Sequence, residues 1–415
     1  MDHVMISLVE AQRYVLRGLQ PLAPLEVTLD VALARVCAQV VTAHEAVPGF
    51  TNSAVDGYAM RSGDTSGGHA RLKVRGSVRA GDSHRPRLES GEAIRIMTGA
   101  PVPDGADCAC MIEEVTVGPH GDEIGVARTL TRGENIRLAG ENVAVGQILV
   151  TPGSELGPVL LGLVASQGLS SLLVHPRPKV GVLSTGDELI DSRESSGFGQ
   201  IHDANRRLLL ASLMQSGFDA VDLGVAADDY RDIERRLSRG IAECDAVVST
   251  GGVSVGDADY VKTVINDRCS GRARWMQVAI KPARPFSFGL SENNTPLFGL
   301  PGNPVAALVS FELFVRPALR RLAGHRDLSR PMVTAVLDCP IPRRRDGTLH
   351  FVHAFAAFDS DGRLHVVAAA PRSSHSLTTA ADANVLAVIE DGDGLVVGDT
   401  VKAMILHPAG PNPSH

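Results

Sequence analysis

Apolar positions recur at helical spacing at the start of the chain, and the rhythm then changes three times. Between Ile6 and Leu19, the residues Leu8, Val9, Ala11, Val15, Leu16 and Leu19 fall on one side of a helix. The spacing repeats over 29–38, after Pro21 and Pro24, with Thr28 in the cap position. From 50 to 145 the apolar runs become short. Segments 72–74, 93–97 and 110–117 read as strands separated by glycines and charged turns, and 133–146 reads as a loop. Residues 156–168 return to helical spacing through Leu160, Leu161, Leu163 and Val164. This pattern predicts a β-rich insertion (47–145) carried on a helical stem built from 1–46 and 146–177.

From Lys179 the pattern is strand and helix in alternation. Strands are predicted at 180–183, 220–223, 246–249, 273–280 and 297–300, with helices at 203–216, 229–242, 259–266 and 303–322. Asp203 stands in the cap position of the first helix, and Pro317 is expected to kink or end the last. Such alternation gives a parallel sheet with helices on both faces, a three-layer α/β domain over 178–327. The tail, 328–408, reads as five short strands at 333–337, 350–358, 364–369, 385–389 and 401–405, enough for a small barrel.

Composition narrows the class. At 415 residues the chain exceeds one ordinary core and suggests roughly two to four domains. A hydrophobic content of 44% with 21% charged residues is that of a soluble globular protein. The best apolar patch, 159–165, stops at Ser166 and Gln167, too short for a membrane span. The first twenty residues lack a basic start followed by an apolar stretch, so a cytoplasmic protein is expected. A net charge of -7 argues against duplex nucleic acid as a main partner. The six cysteines form no CxxC pair, which suits free thiols in a reducing compartment.

Ligands of parallel α/β sheets bind beyond the carboxyl ends of the strands, and every unusual loop here follows a strand. In AVVSTGGVSVGDADY, 246–260, an apolar run ends at Ser249 and Thr250 and meets Gly251 and Gly252. Such a turn exposes backbone N–H groups to an anion. Asp257 and Asp259 on the same loop would repel a phosphate unless a cation sat between them, which suggests a phosphorylated ligand held with Mg²⁺. A tight turn with its acids in water is the other reading. Ser184-Thr185-Gly186-Asp187-Glu188 can orient a polar ligand or a metal, or favour a helix start by charge. Lys281 is one of only five lysines, and with Arg284 it forms a positive pole bounded by Pro282 and Pro285. Pro301-Gly302-Asn303-Pro304 reads as a stiff turn whose Asn303 caps the last helix. The polar loops 52–58 and 97–103 contain Asp56 and Thr98, and no nucleophile there stands beside a general base. No Walker A, Rossmann, His-x-x-x-His or Ser-His-Asp arrangement is present.

Six stretches in fixed order carry a resemblance: NSAVDGYAM at 52–60, IRIMTGAPVPDGAD at 94–107, GVLSTGDEL at 181–189, VVSTGGVSVGDADY at 247–260, IKPARPFSFG at 280–289 and GLPGNPVAALVSFE at 299–312. Across nearly its whole length the chain resembles the molybdopterin molybdenumtransferase family, the MoeA-like enzymes related to the E domain of gephyrin. The resemblance implies insertion of molybdate into adenylylated molybdopterin with release of AMP, the final step of molybdenum cofactor synthesis. It implies Mg²⁺ held by Glu188, Asp228 and Asp257. It implies catalytic roles for Asp56, Thr98, Glu188, Asp228, Asp257 and Lys281. Substrate contacts are implied for Ser184, Thr185, Ser249, Gly251, Gly252, Ser254, Asp259, Arg284, Pro301, Asn303 and Ser374. It also implies a homodimer whose active cleft is shared, Asp56 and Thr98 entering from the partner, with transient contacts to the molybdopterin adenylyltransferase and to recipient molybdoenzymes. Neither nucleic acid nor membrane is an expected partner. Two positions depart from the family pattern: Met276 stands where a second lysine is common, and His353 where an arginine is common. Arg284 and Arg372 are the candidates to compensate. A diverged paralogue that binds pterin but inserts metal poorly, and a dimeric scaffold, are the alternative readings; the retained acids and Lys281 favour the enzyme.

Overall fold

The structure is a computed structural model that describes residues 5–191, 195–252, 260–368 and 377–407. Ser7 and Glu10 form a reciprocal capping box that starts the helix Leu8–Arg17. The buried side of that helix, Ala11 and Val15 with Leu19 beyond it, does not face the stem. It joins the core of the α/β body, where Tyr14 meets Phe288 edge-on with centroids 6.0 Å apart. The stem has its own core around Cys37, Leu156, Val164 and Leu172. It consists of the helix Pro158–Ala165 and a three-stranded sheet ordered Leu25–Thr28, Ser171–His175, Val36–Cys37.

The helix expected over 29–38 is therefore absent. Leu29–Val31 is one 3-10 turn, which Thr28 precedes without a side-chain cap. Ala34 takes a positive φ of 58°, a conformation that no helix interior accommodates. The apolar residues that mimicked a helical stripe serve a turn and a short strand instead.

The insertion is a six-stranded sheet. Its order is Cys108–Met111, Gly57–Met60, Glu92–Ile96, Ala70–Val78, Glu123–Val126, Val115–Val117. The single strand expected over 110–117 is two, divided by a 3-10 turn at Ile112–Glu114. The loop 133–146 pairs briefly, Ile136 with Ser53 and Arg137 with Asn52.

The α/β sheet runs Asp219–Ala226, Lys179–Thr185, Ala246–Thr250, Pro296–Leu300, Pro285–Leu290, Arg274–Gln277. The first four strands are mutually parallel and the last two pairings antiparallel. Pro285–Leu290 had no counterpart in the sequence pattern, because the flanking prolines and Gly289 masked it. It completes the core, where Phe286 stacks on Phe314 with centroids 4.2 Å apart. Burying a phenylalanine this fully contributes about 2–3 kcal/mol.

The last helix is interrupted. Pro304–Ser310 is α-helical, Phe311–Val315 is a π segment, and Arg316–Leu322 is α-helical again. Pro317 has no N–H to offer the carbonyl of Leu313, and the Gln12 side-chain amide donates to that oxygen at 3.0 Å instead. The break expected at Pro317 is thus made good by the first helix.

The five tail strands close into a barrel. Leu349–Phe358 pairs with both Leu364–Ala368 and Val385–Ile389, and the ring continues through Met332–Leu337 and Thr400–Ile405. A sixth short strand, Ile280–Lys281, comes from the α/β body and pairs in parallel with Leu349 and His350. The fold is thus a multidomain α/β protein with a closed five-stranded barrel at its C-terminal end. Among the described residues no helix is long and apolar enough to cross a membrane. All six cysteines are free, and burial pushes the thiols of Cys108 and Cys110 up to about 12 and about 11.

Candidate functional site at the carboxyl edge of the sheet

The register aligns the ends of the parallel strands: Thr185 pairs with Ala226, Ser184 with Thr250, and Thr250 with Leu300. The loops that follow, beginning at Gly186, Ala227, Gly251 and Pro301, therefore leave one edge of the sheet together. The loop 278–284 leaves the same edge, since Gln277 pairs with Pro285 and Phe286 lies one residue further in. Lys281 is fixed there from both sides. Ala279 donates to Ile6 O at 2.9 Å, and Leu349 donates to Ala279 O at 2.9 Å. The Lys281 and Arg284 side chains are exposed.

Two glycines are set by their surroundings. Gly251 has φ 89°, and a Cβ there would stand 2.5 Å from Thr185 O. A Cβ at Gly186, φ 148°, would meet the Glu188 carboxylate at 2.4 Å. The Glu188 carboxylate therefore folds back over the turn that ends the Lys179–Thr185 strand. Across from it, Asp228 donates its amide to Asp187 Oδ1 at 3.0 Å, and the Asp187 amide in turn supports the Asp228 carboxylate. Desolvation first, then repulsion from Asp187 and from Glu188, raises the Asp228 pKa above its usual value. Asp187 and Glu188 thus both act as negative charges on Asp228. Hard oxygen donors that repel in this way suit a divalent cation. The described residues do not by themselves assemble three side chains at metal-binding distance. Asp257, Ser254 and Asp259 of the neighbouring loop, and Ser374 and Arg372 of the tail, lie outside the described residues.

Several expected contact residues are committed to structure. Ser184 is buried and donates to Asp203 Oδ1 at 3.0 Å. Ser249 is buried and donates to Phe298 O at 3.2 Å. The Thr185 hydroxyl is directed at Thr250 O, 3.5 Å away. These hydroxyl donors brace the ends of the strands, and each hydroxyl oxygen can still accept a further hydrogen bond. Asn303 caps Pro304–Ser310 by accepting from Ala306 at 3.1 Å, with Pro304 in the first turn.

Sequence reasoning missed two residues that hold this edge. Asn205 donates through Nδ2 to Thr250 Oγ1 at 2.8 Å and to Gly302 O at 2.7 Å, tying two of the loops together. Arg206, 4% exposed, reaches Asp203, Asp191 and Asp222 at 2.9, 2.9 and 2.5 Å. Their only signal was a polar run beside the Asp203 cap, and Asp203 does cap the helix Ala204–Gln215.

The inserted module presents a second group. Thr98 donates its amide to Asp56 Oδ1 at 2.7 Å, and this bond, joined by the Thr98 hydroxyl, holds the Asp56 carboxyl below the usual range. Gly57 follows, and a Cβ there would overlap Cys110 O at 1.8 Å. Hydrogen bonding links Asp56 to Thr98 and Asp187 to Asp228; it does not link one pair to the other.

The two departures are also placed. Met276 is 4% exposed and packed in the core with Phe286 and Phe288, so it does not face the edge. His353 is 5% exposed in the barrel wall, its Nε2 has no partner among the described residues, and burial lowers its pKa to about 4. It is a neutral side chain at pH 7.

Comparison with known proteins gives a consistent result over the whole length. Residues 6–168 match the MoeA N-terminal region (domain I and II), 181–321 a probable molybdopterin binding domain, and 334–406 the MoeA C-terminal region (domain IV). The chain is 36% identical over 374 residues to the molybdopterin molybdenumtransferase of Haemophilus influenzae, covering 90% of this chain and 91% of that one. It is 36% identical over 390 residues to molybdopterin molybdenumtransferase 2 of Mycobacterium tuberculosis, covering 92% and 95%. A solved molybdopterin biosynthesis moeA protein from Pyrococcus horikoshii superposes with a TM-score of 0.83 at 28% identity, covering 97% of this chain and 100% of that one.

Proposed function

The chain belongs to the molybdopterin molybdenumtransferase family, and on that footing we propose that it inserts molybdate into adenylylated molybdopterin and releases AMP. The observation that carries this reading is the carboxyl edge itself. Acidic loops at Glu188 and Asp228 share it with the exposed cations Lys281 and Arg284 and with the glycine turn at Gly251. One pole suits a divalent cation and the other an anion, and a pyrophosphate held with Mg²⁺ needs both.

In this reading Glu188 and Asp228, with Asp257 from the neighbouring loop, hold Mg²⁺. When bound, Mg²⁺ supplies charge neutralisation and polarisation at the phosphoanhydride. Lys281 balances negative charge on phosphate or on molybdate, and Arg284 extends that field. The backbone at Gly251, Gly252 and Pro301 lines the ligand, with Ser254, Asp259 and Ser374 as further contacts. AMP is a good leaving group, so no covalent protein nucleophile is required. Asp56, held ionised by Thr98, completes the cleft from a second copy in a homodimer. A cytoplasmic location fits the free thiols, and the adenylyltransferase and recipient molybdoenzymes are the expected transient partners. The test is incubation of the purified protein with adenylylated molybdopterin, molybdate and Mg²⁺, followed by assay of AMP and of metal-bound pterin; intact adenylylated substrate at the end would refute it.

A further inference from the structure

A cavity of about 200 Å³ opens at the opposite edge of the α/β sheet, where Pro178 and Phe218 lead into the Lys179–Thr185 and Asp219–Ala226 strands. The seven-residue length of the first strand puts about 20 Å between this cavity and the carboxyl-edge loops. Its walls come from the stem, from the end of Ala204–Gln215 and from the end of Arg316–Leu322. Among the described residues they carry Arg35, Arg177, Arg320, His175 and His325 against a single acid, Glu155.

The arginines donate to backbone carbonyls, and Glu155 and Asp327 offset only part of the charge of Arg320. Arg35 Nε donates to Val31 O at 3.0 Å, Arg177 to Leu33 O at 3.5 Å and Arg320 Nε to Asp327 O at 2.7 Å. Glu155 stands 3.9 Å from Arg320 and 3.5 Å from His325 Nδ1, with half of its side chain in solvent. One turn before Arg320 lies Arg316, 8% exposed, whose Nε and Nη1 have no partner among the described residues. The acid beside it, Glu312, is taken by a bidentate pair with Arg330 at 2.9 and 3.0 Å. Ser216 in the cavity wall also has a buried hydroxyl with no partner among the described residues.

An arginine does not discharge at any physiological pH, and the acids that act on the buried Arg316, Glu312 and Glu155, are shared with Arg330 and Arg320. Buried polar atoms of this kind are nearly always satisfied. The surplus of positive charge in the cavity wall and the unpartnered Ser216 hydroxyl together suit a compact anion.

We propose that this cavity is a binding site for a tetrahedral oxoanion, free or as the phosphate of a small monoester, which clamps the stem to the α/β domain. The clamp runs from Arg35 and Arg177 on the stem to Arg320 and Ser216 on the α/β body. His325 reports the same field: burial first, then Arg320 and Arg316, lower its pKa to about 4. A bound anion reverses that field and moves the value up.

The experiment uses the full chain at constant ionic strength, with inorganic phosphate and glycerol 1-phosphate as separate probes and chloride as the control. The expected result is a rise in Tm and calorimetric binding with at least one probe, retained in Lys281→Ala and weakened at least tenfold in Arg177→Gln and in Arg320→Gln. The His325 imidazole, followed by NMR in the unaltered protein, gains proton affinity on titration; this readout needs no variant to fold. The tighter probe identifies the source of the anion. Binding that disappears in Lys281→Ala while Arg177→Gln and Arg320→Gln keep it, or a His325 signal that phosphate does not move, overturns the proposal. So does an Arg316→Met chain that loses its oligomeric state when neither probe shifts the Tm of the parent, since a second copy then supplies the counter-charge.

Discussion

Thr98 hands its amide to the carboxylate of Asp56 at 2.7 Å, joining two loops that are 42 residues apart in the chain. The bond keeps Asp56 ionised and points an exposed acid outward from the rim of the inserted module. The amide is a backbone group, so the two residues respond differently to substitution.

Asp56→Ala is expected to leave the fold intact and to lower AMP release about a hundredfold, whereas Thr98→Ala, which keeps the amide, loses far less. Steady-state AMP assays with circular dichroism as the folding control decide it. A shared site makes a stronger demand. Random exchange of equal amounts of Asp56→Ala and Glu188→Gln chains should restore about a quarter of parental activity, because about half of the dimers are then mixed and each mixed dimer holds one intact site of two. Verified heterodimers without activity would place both acids in one chain's site.

Glu188→Gln and Asp228→Asn should each reduce AMP release by about a hundredfold or more at limiting Mg²⁺. Asp228→Asn carries a second signature. Its carboxyl is raised by desolvation and by Asp187 and Glu188, so removing the charge relieves repulsion. In the absence of Mg²⁺ the melting temperature of Asp228→Asn should lie above that of the parent. Protons compete with the metal for the same carboxylate, so Mg²⁺ affinity should fall as pH drops through the raised pKa, as titration calorimetry can follow.

Lys281→Ala should weaken binding of adenylylated molybdopterin or of molybdate more than Arg284→Ala does. The 278–281 segment is gripped by Ile6 on one side and Leu349 on the other, at the same edge of the sheet as the acidic loops. Calorimetry on both variants ranks them, and the reverse order would move the main charge to Arg284.

Acid should destabilise the protein in a defined window. Burial lowers His353 to about 4 in the fold, against about 6.5 when unfolded, so the unfolded chain takes up the proton first. Its contribution is therefore intact above about pH 6.5 and is lost as pH falls towards 4, up to about 3 kcal/mol in total. His365 has the opposite sign. Asp338 and then Asp361 raise it, so what it adds is complete at low pH and disappears as pH rises through its raised pKa. Urea unfolding at pH 7, 5.5 and 4.5 should show the loss for the parent and a flatter profile for His353→Leu.

Much of this was legible from local pattern. Asp203 and Asn303 cap the helices they precede, and the five tail strands follow their apolar runs to within a residue or two. The positions of the edge loops were legible because each follows an apolar run that forms a strand, ending at Thr185, Thr250 and Leu300. What escaped depends on distant partners. Residues 29–38 carry helical spacing, yet Ala34 sits at positive φ and the stem sheet takes the strand. The π segment at Phe311–Val315 is tolerated beside Pro317 because Gln12, 301 residues before Leu313, supplies the missing donor. The donors' internal partners were not legible either: the Ser184 and Ser249 hydroxyls donate to Asp203 and to Phe298 O, 19 and 49 residues away in the chain.

Product stoichiometry in a single turnover tests the central claim most directly. Purified protein in excess over adenylylated molybdopterin, with molybdate and Mg²⁺, should yield AMP and metal-bound pterin in equal amounts, and neither should form in Glu188→Gln. AMP released without metal on the pterin, or no AMP at all from a folded parent protein, would contradict it.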